Sequence, residues 1–249
     1  MRTDLAARSL CALAAASLAV LGLAYRDFAP AWRNFPDWVP DHESWIEVLS
    51  LVLLTGSIGL LIPRTFRPSL AAIGVYCAVW AFLAAEPILA APLSIGAWYG
   101  TVEALSVLCG VALIMPKAPA RVARSIFGLT CIFYGVSHFA FAGYTAAMVP
   151  AWLPGPVVLA YFTGLCHMGA GIALVAGVLP RLAASLEAGM MSLFGLLVWV
   201  PSFLADPTPK WATPAQNQWS ELVVTLALAA SAWIVSLSSP RDKVMAKQI

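Results

Sequence analysis

His138, His167, Glu103 and Glu221 each sit inside a long apolar run of this 249-residue chain. An ionisable group in such surroundings is costly to keep, so each one marks a candidate site. An imidazole can accept, donate or pass a proton, or ligate a metal or haem. A carboxyl shielded from water can carry a proton between helices. Glu86 stands near the end of another run and Trp152 in a Pro-rich connector. Trp219 lies two residues before Glu221. Glu187 lies six residues past Arg181, and local spacing suggests that those two pair. At about 1.5 Å of rise per residue, His138 and His167 should differ in depth by roughly 9 Å. That separation does not suit shared haem coordination, and a polar pocket with hydrogen-bonded histidines is the better expectation. No closely spaced metal motif, GxSxG, P-loop or GxGxxG in its required context is present, so no catalytic motif is complete. Cys11, Cys77, Cys109, Cys131 and Cys166 all fall in apolar runs without a CxxC pair, which reads as packed free thiols.

What must position these groups is a set of membrane helices. The chain is 61% hydrophobic and only 10% charged, far below the quarter of charged residues usual in soluble domains. A formal net charge of +2 with no basic run gives no reason to expect nucleic acid. Eight apolar runs can be drawn, at 8–27, 44–62, 68–90, 96–115, 122–142, 156–179, 181–204 and 219–239. Each is near the ~20 residues that cross a ~30 Å hydrocarbon core as helix. They do not alternate as barrel strands would. The expectation is an all-α, polytopic membrane protein. The first run, with Arg2 and Arg8 before it, has the outline of a signal peptide. It is expected to be a retained helix instead, because the second half of the chain has a counterpart to it.

That counterpart is part of an internal duplication. Trp38-Val39-Pro40 and Trp152-Leu153-Pro154 stand 114 residues apart, and Pro63-Arg64 and Pro180-Arg181 stand 117 apart. Glu103 and Glu221 are 118 apart. The reading is two parallel four-helix repeats, residues 1–118 and 119–249. Arg2, Arg8, Arg64, Arg67, Lys117, Arg121, Arg124, Arg181, Arg241, Lys243 and Lys247 fall on one side of the predicted spans. Arg26, Arg33 and Lys210 fall on the other. The positive-inside rule then places both termini in the cytoplasm. The opposite face carries most of the prolines and tryptophans, including Trp32, Trp38, Trp152 and Trp219, as an aromatic belt or a stiff vestibule. Asp27, Asp37, Asp41 and Glu43 make its first loop acidic. Gly164, Gly169, Gly171 and Gly177, with Ala173, give the sixth span small residues suited to close packing.

The second half resembles the DoxX-like family of four-span bacterial membrane proteins. The resemblance rests on Gly135-Val136-Ser137-His138-Phe139, the loop MVPAWLPGP, the region Gly164 to Gly171, and Pro180-Arg181. It implies an inner-membrane location and association with quinone-linked oxidases. Where the family pattern carries an acidic residue three positions after the glycine, this chain has His167 after Gly164. The corresponding first-half positions are about Ser50 for His167 and Ala24 for His138. The expected function is therefore a redox-associated or quinone-interacting accessory subunit. Its outward-facing pocket would be built from His138, His167, Glu221 and Trp219, with Glu103 as the first-half counterpart, and Trp152 and Glu86 nearby. Quinone is the cofactor this reading admits, haem is not expected, and the partners would be the bilayer and a redox enzyme subunit. A small-molecule carrier or export-assisting protein, and a structural scaffold, are the competing readings.

Overall fold

The structure, a computed structural model, describes residues 2–27, 40–115, 118–205, 209, 211 and 215–240. Trp32, Asp37 and Trp38 of the first acidic loop, and the basic residues Lys117, Lys210, Arg241, Lys243 and Lys247, lie outside the described residues. Described residues form helices joined by short connectors, with no strand among them. They are α1 (Arg2–Tyr25), α2 (His42–Gly59), α3 (Phe66–Leu83), α4 (Glu86–Ala90), α5 (Ile95–Ile114) and α6 (Ala120–Ala140). There follow α7 (Ala142–Met148), α8 (Pro156–Ala176), α9 (Pro180–Phe194), a π-helical turn (Gly195–Trp199), α10 (Val200–Leu204) and α11 (Ala215–Ser238).

Seven helical segments are long and apolar enough to cross a membrane: 5–25, 66–90, 95–114, 120–140, 156–176, 180–204 and 216–238. The exception among the eight predicted spans is α2. His42, Glu43 and Glu47 occupy its first two turns and dilute an otherwise apolar stretch. Two of the seven segments are interrupted. In the segment 66–90 the helix breaks at Ala84-Ala85 and resumes as α4 with Pro87 in its first turn. In 180–204 the interruption is the π turn, where Val200 N–H bonds Gly195 O, just before Pro201. Proline has no N–H to continue the ladder, and the wider turn accommodates the missing bond.

Helix packing follows one order in each half. In the first, α1 packs on α2, α2 on α3, α3 on α5, and α5 on α1. In the second, α6 packs on α8, α8 on α9, α9 on α11, and α11 touches α6. Three contacts join the halves: α1 with α11, α5 with α6, and α5 with α11. Exchanging α1, α2, α3 and α5 for α6, α8, α9 and α11 returns the same set of principal contacts. The helix α1 belongs to this core through Cys11, Ala15, Leu18 and Ala19.

Lipid tails are as apolar as leucine, so helix association in a bilayer depends on close fit and on polar contacts. The α6–α8 contact shows the first. A Cβ added at Gly135 would lie 2.7 Å from Gly164 O, and one at Gly128 would lie 2.8 Å from Gly171 O. Both neighbours are backbone and cannot swing aside. Gly169, by contrast, faces open space, so of the small residues noted in the sequence Gly164 and Gly171 make the seam. Gly177 serves differently, closing α8 in the left-handed conformation at φ 72°. Arg124 on α6 reaches across to donate from Nε to Leu174 O at 3.1 Å, satisfying a carbonyl near that helix end.

At the end of α1, Arg26 holds a left-handed φ of 50° without glycine's freedom. It is exposed, so its side chain contributes little packing. Arg26→Gly is expected to raise stability by about 1 kcal/mol, the cost of placing an L-residue there. A higher unfolding midpoint in mild detergent would register it.

Candidate functional site

Two buried ionisable groups of the second half meet between α8 and α9, beside α6. His167, at mid-helix in α8, is 1% exposed, as is Glu187 on α9. The His167 Nδ1–H donates to Glu187 Oε1 at 2.8 Å. A carboxylate acceptor at Nδ1 orients the ring and sets the Nδ1–H tautomer. Glu187 Oε2 is buried and has no hydrogen-bond partner, and the Cys131 thiol of α6 lies against the same carboxyl. The Arg181 pairing expected from local spacing is not what Glu187 forms. Six residues along a helix turn the side chain about 240° away, and Glu187 points at α8.

His138 occupies the last turn of α6. Its Nδ1 lies 2.9 Å from Thr163 Oγ1 and 3.2 Å from Ala160 O on α8. The two imidazoles contact edge-to-face, with ring centroids 5.0 Å apart. That is closer than backbone rise predicts, and helix geometry supplies the reason. Side chains lean toward the N-terminus of their own helix. The helices α6 and α8 run antiparallel, so the two rings lean toward each other. Phe194, at the end of α9, stacks on His138 at 6.0 Å and 22° and lies 5.9 Å from His167. Tyr134, one turn before His138, lies 5.9 Å from His167. Its hydroxyl is 3.0 Å from Ser106 Oγ on α5, which ties this cluster to the first half.

Residues 120–200 match the DoxX family. The matched segment begins with α6 and ends at the start of α10, about a third of the chain. It contains His138, His167, Glu187 and Phe194. Comparison with curated proteins and with solved structures gives no match. Within the matched segment, Glu187 brings a carboxyl to His167 from the next helix.

The other predicted residues lie outside this cluster. Glu103 on α5 is 8% exposed, with its Oε2 buried and unpartnered. Glu221 lies half-buried on α11, the helix that packs on α5. Burial, and the Glu221 carboxyl beside it, push the Tyr144 phenol of α7 above its ordinary value. Trp219 packs on Phe203 at 4.3 Å and is 44% exposed. Trp152 is 69% exposed on the connector before α8, and Glu86 opens the short α4. A cleft of about 600 Å³ opens at the far end of the DoxX segment from His138. Arg121, Arg124, Ala176 and Ser239 are among its lining residues. Among the described residues, no group of three or more His, Cys, Asp or Glu side chains is placed to hold a metal ion.

Tyr134, Ser106, Phe194 and the Glu187 partnership were not singled out from the sequence. Two of them carried a signal. Tyr134 precedes His138 by four residues and Ser106 follows Glu103 by three, and both spacings put side chains on one helical face.

Proposed function

We propose that this DoxX-like membrane protein is a redox-associated accessory subunit that binds a quinone head group at the His138–His167–Phe194 cluster. The observation that carries the reading is the buried His167–Glu187 pair beside a second imidazole and a stacked aromatic ring. A quinone head is flat, apolar and in need of protons when reduced. Phe194 and His138 offer flat faces. His167, held by Glu187, offers a nitrogen that gives or takes a proton. The part-exposed His138 and Phe194 leave an approach from the lipid side, where a quinone tail resides.

The wider architecture we propose is eight spans in two parallel four-helix repeats, residues 1–118 and 119–249, in a bacterial inner membrane. The helix α2 is the eighth span, held between α1 and α3 despite its polar first turns. The matching packing order of the two halves supports the repeat. Arg64, Arg67, Arg121, Arg124 and Arg181 at one end of the bundle support cytoplasmic termini.

The test is extraction of the protein from native membranes in mild detergent, followed by analysis of bound lipids. A quinone retained near one per chain is expected, and His167→Ala should release most of it while Trp152→Ala should not. Wild-type protein free of quinone, or equal retention by all three, would overturn the assignment. A second reading, a small-molecule carrier, draws on the paired interruptions at Pro87 and Pro201, since broken helices line binding sites in transporters. Ligand uptake into proteoliposomes, without any respiratory defect in a deletion strain, would favour it instead.

A further inference from the structure

We propose that the cleft between the ends of α6, α8 and α11 binds the phosphate of an anionic phospholipid, with Arg121 and Arg124 as its cationic partners. The cleft lies at the far end of the DoxX segment from His138, and the inference does not depend on a bound quinone.

Three spanning helices end together there. The helix α6 begins at Ala120, α8 stops at Ala176 and α11 stops at Ser238. The ends of helices that cross the hydrocarbon core lie at headgroup depth. The cleft they leave, which Leu113 of α5 also lines, is about 600 Å³, within the range of sites that take small organic groups. About one turn deeper, Gly128 of α6 and Gly171 of α8 bring the two backbones close and end the gap between these helices.

The lining is cationic. Arg121 and Arg124 both contribute to it, and no acidic side chain is among the described lining residues. Arg124 is anchored. Its Nε donates to Leu174 O at 3.1 Å, and its Nη2 lies 3.3 Å from where a Cβ at Gly177 would stand. With Nε held, the remaining donors of the planar guanidinium have a fixed direction. Arg121 is exposed, and among the described residues it forms no ion pair. Ser125 and Ser238 add hydroxyls to the same lining. Phosphate accepts paired hydrogen bonds from a guanidinium, so two arginines around one cleft suit it.

The edge of the cleft suits a lipid better than a free anion. Val175 lines it and is exposed, as is Ile172 one turn before on α8. On α6, Leu129 follows the lining residue Ser125 by one turn and is exposed as well. These side chains lead from the arginines along the outer faces of α6 and α8, where the acyl chains of the same molecule would lie. A free phosphate has no use for them. Arginines also reach headgroup level by snorkelling, with no lipid bound. Arg64 and Arg67 provide the comparison, because they belong to the same end of the bundle but do not line the cleft.

Native mass spectrometry of the full chain in mild detergent tests this, with phosphatidylglycerol or phosphatidylcholine added in steps. The anionic lipid is expected to bind more tightly than the zwitterionic one. Arg121→Gln with Arg124→Gln should weaken phosphatidylglycerol binding about thirtyfold, at roughly fivefold per basic side chain. Arg64→Gln with Arg67→Gln should leave it unchanged. Ala176→Phe keeps both charges but fills the cleft, and should reduce phosphatidylglycerol to the level of phosphatidylcholine. Equal affinity for the two lipids, equal loss in the two double variants, or undiminished binding by Ala176→Phe would overturn the site. Inorganic phosphate should not displace the lipid; complete displacement would assign the cleft to a free anion and overturn the lipid reading. If the cleft double variant does not fold, Arg121→Gln alone should still cost about fivefold, and no change in that variant would count against the proposal.

Discussion

Glu187→Ala is expected to destabilise the protein by about 2 kcal/mol, read as a lower denaturant midpoint in mild detergent. The substitution leaves the His167 Nδ1–H buried without an acceptor, which costs about 1–3 kcal/mol. Interhelical hydrogen bonds in membranes average only about 0.6 kcal/mol by double-mutant cycles, because the separated helices find other partners. His167 has little opportunity to do so, at 1% exposure on the inner face of α8. The value should therefore lie above that average. Glu187→Gln keeps an acceptor of the same length and should cost about half as much or less. The double variant His167→Leu/Glu187→Leu removes both polar groups and should recover most of the loss, as apolar replacements of buried pairs often do. An alanine variant as stable as the wild type would mean that this pair contributes nothing to holding α8 against α9.

Gly135→Val should have a still larger effect, about 3 kcal/mol, at the upper end for overpacking. The added side chain meets backbone at Gly164 and the side chain of Met168 together. Separation of α6 from α8 is then the only relief. It would also pull His138 from His167, so loss of stability and loss of any ligand at the histidine pair should appear together. Gly169→Ala, on the same apolar stretch but facing open space, is the matched control and should stay within about 0.5 kcal/mol of wild type. Equal behaviour of the two variants would remove the case for a backbone-close seam.

The helices themselves were legible because each apolar run is long, and because Pro156 and Pro180 sit in the first turns of α8 and α9, where proline is tolerated. Candidate residues were legible one at a time, since a lone His or Glu in an apolar run stands out. Their partnerships were not. Glu187 was read against Arg181, its neighbour along the chain, whereas its partner lies across a helix interface that no local pattern encodes. The separation of His138 and His167 was misjudged for a related reason. Rise per residue locates backbones, but the inclination of side chains in antiparallel helices closed the remaining distance. The interruption in the segment 180–204 had a visible cause in Pro201. The wider turn before it, which ends at the buried Trp199, has no local pattern of its own in the sequence.

The widened turn at Gly195–Trp199 carries a lesson for anyone aligning related chains. A π turn holds one residue more than the α turn it replaces, so the phase of the helix shifts by about 100° on passing through it. A helical wheel drawn from Pro180 straight to Leu204 would therefore put Ser202 and Phe203 on the wrong sides. A sequence lacking the extra residue should show its one-position gap here, and the faces beyond the gap should then correspond again.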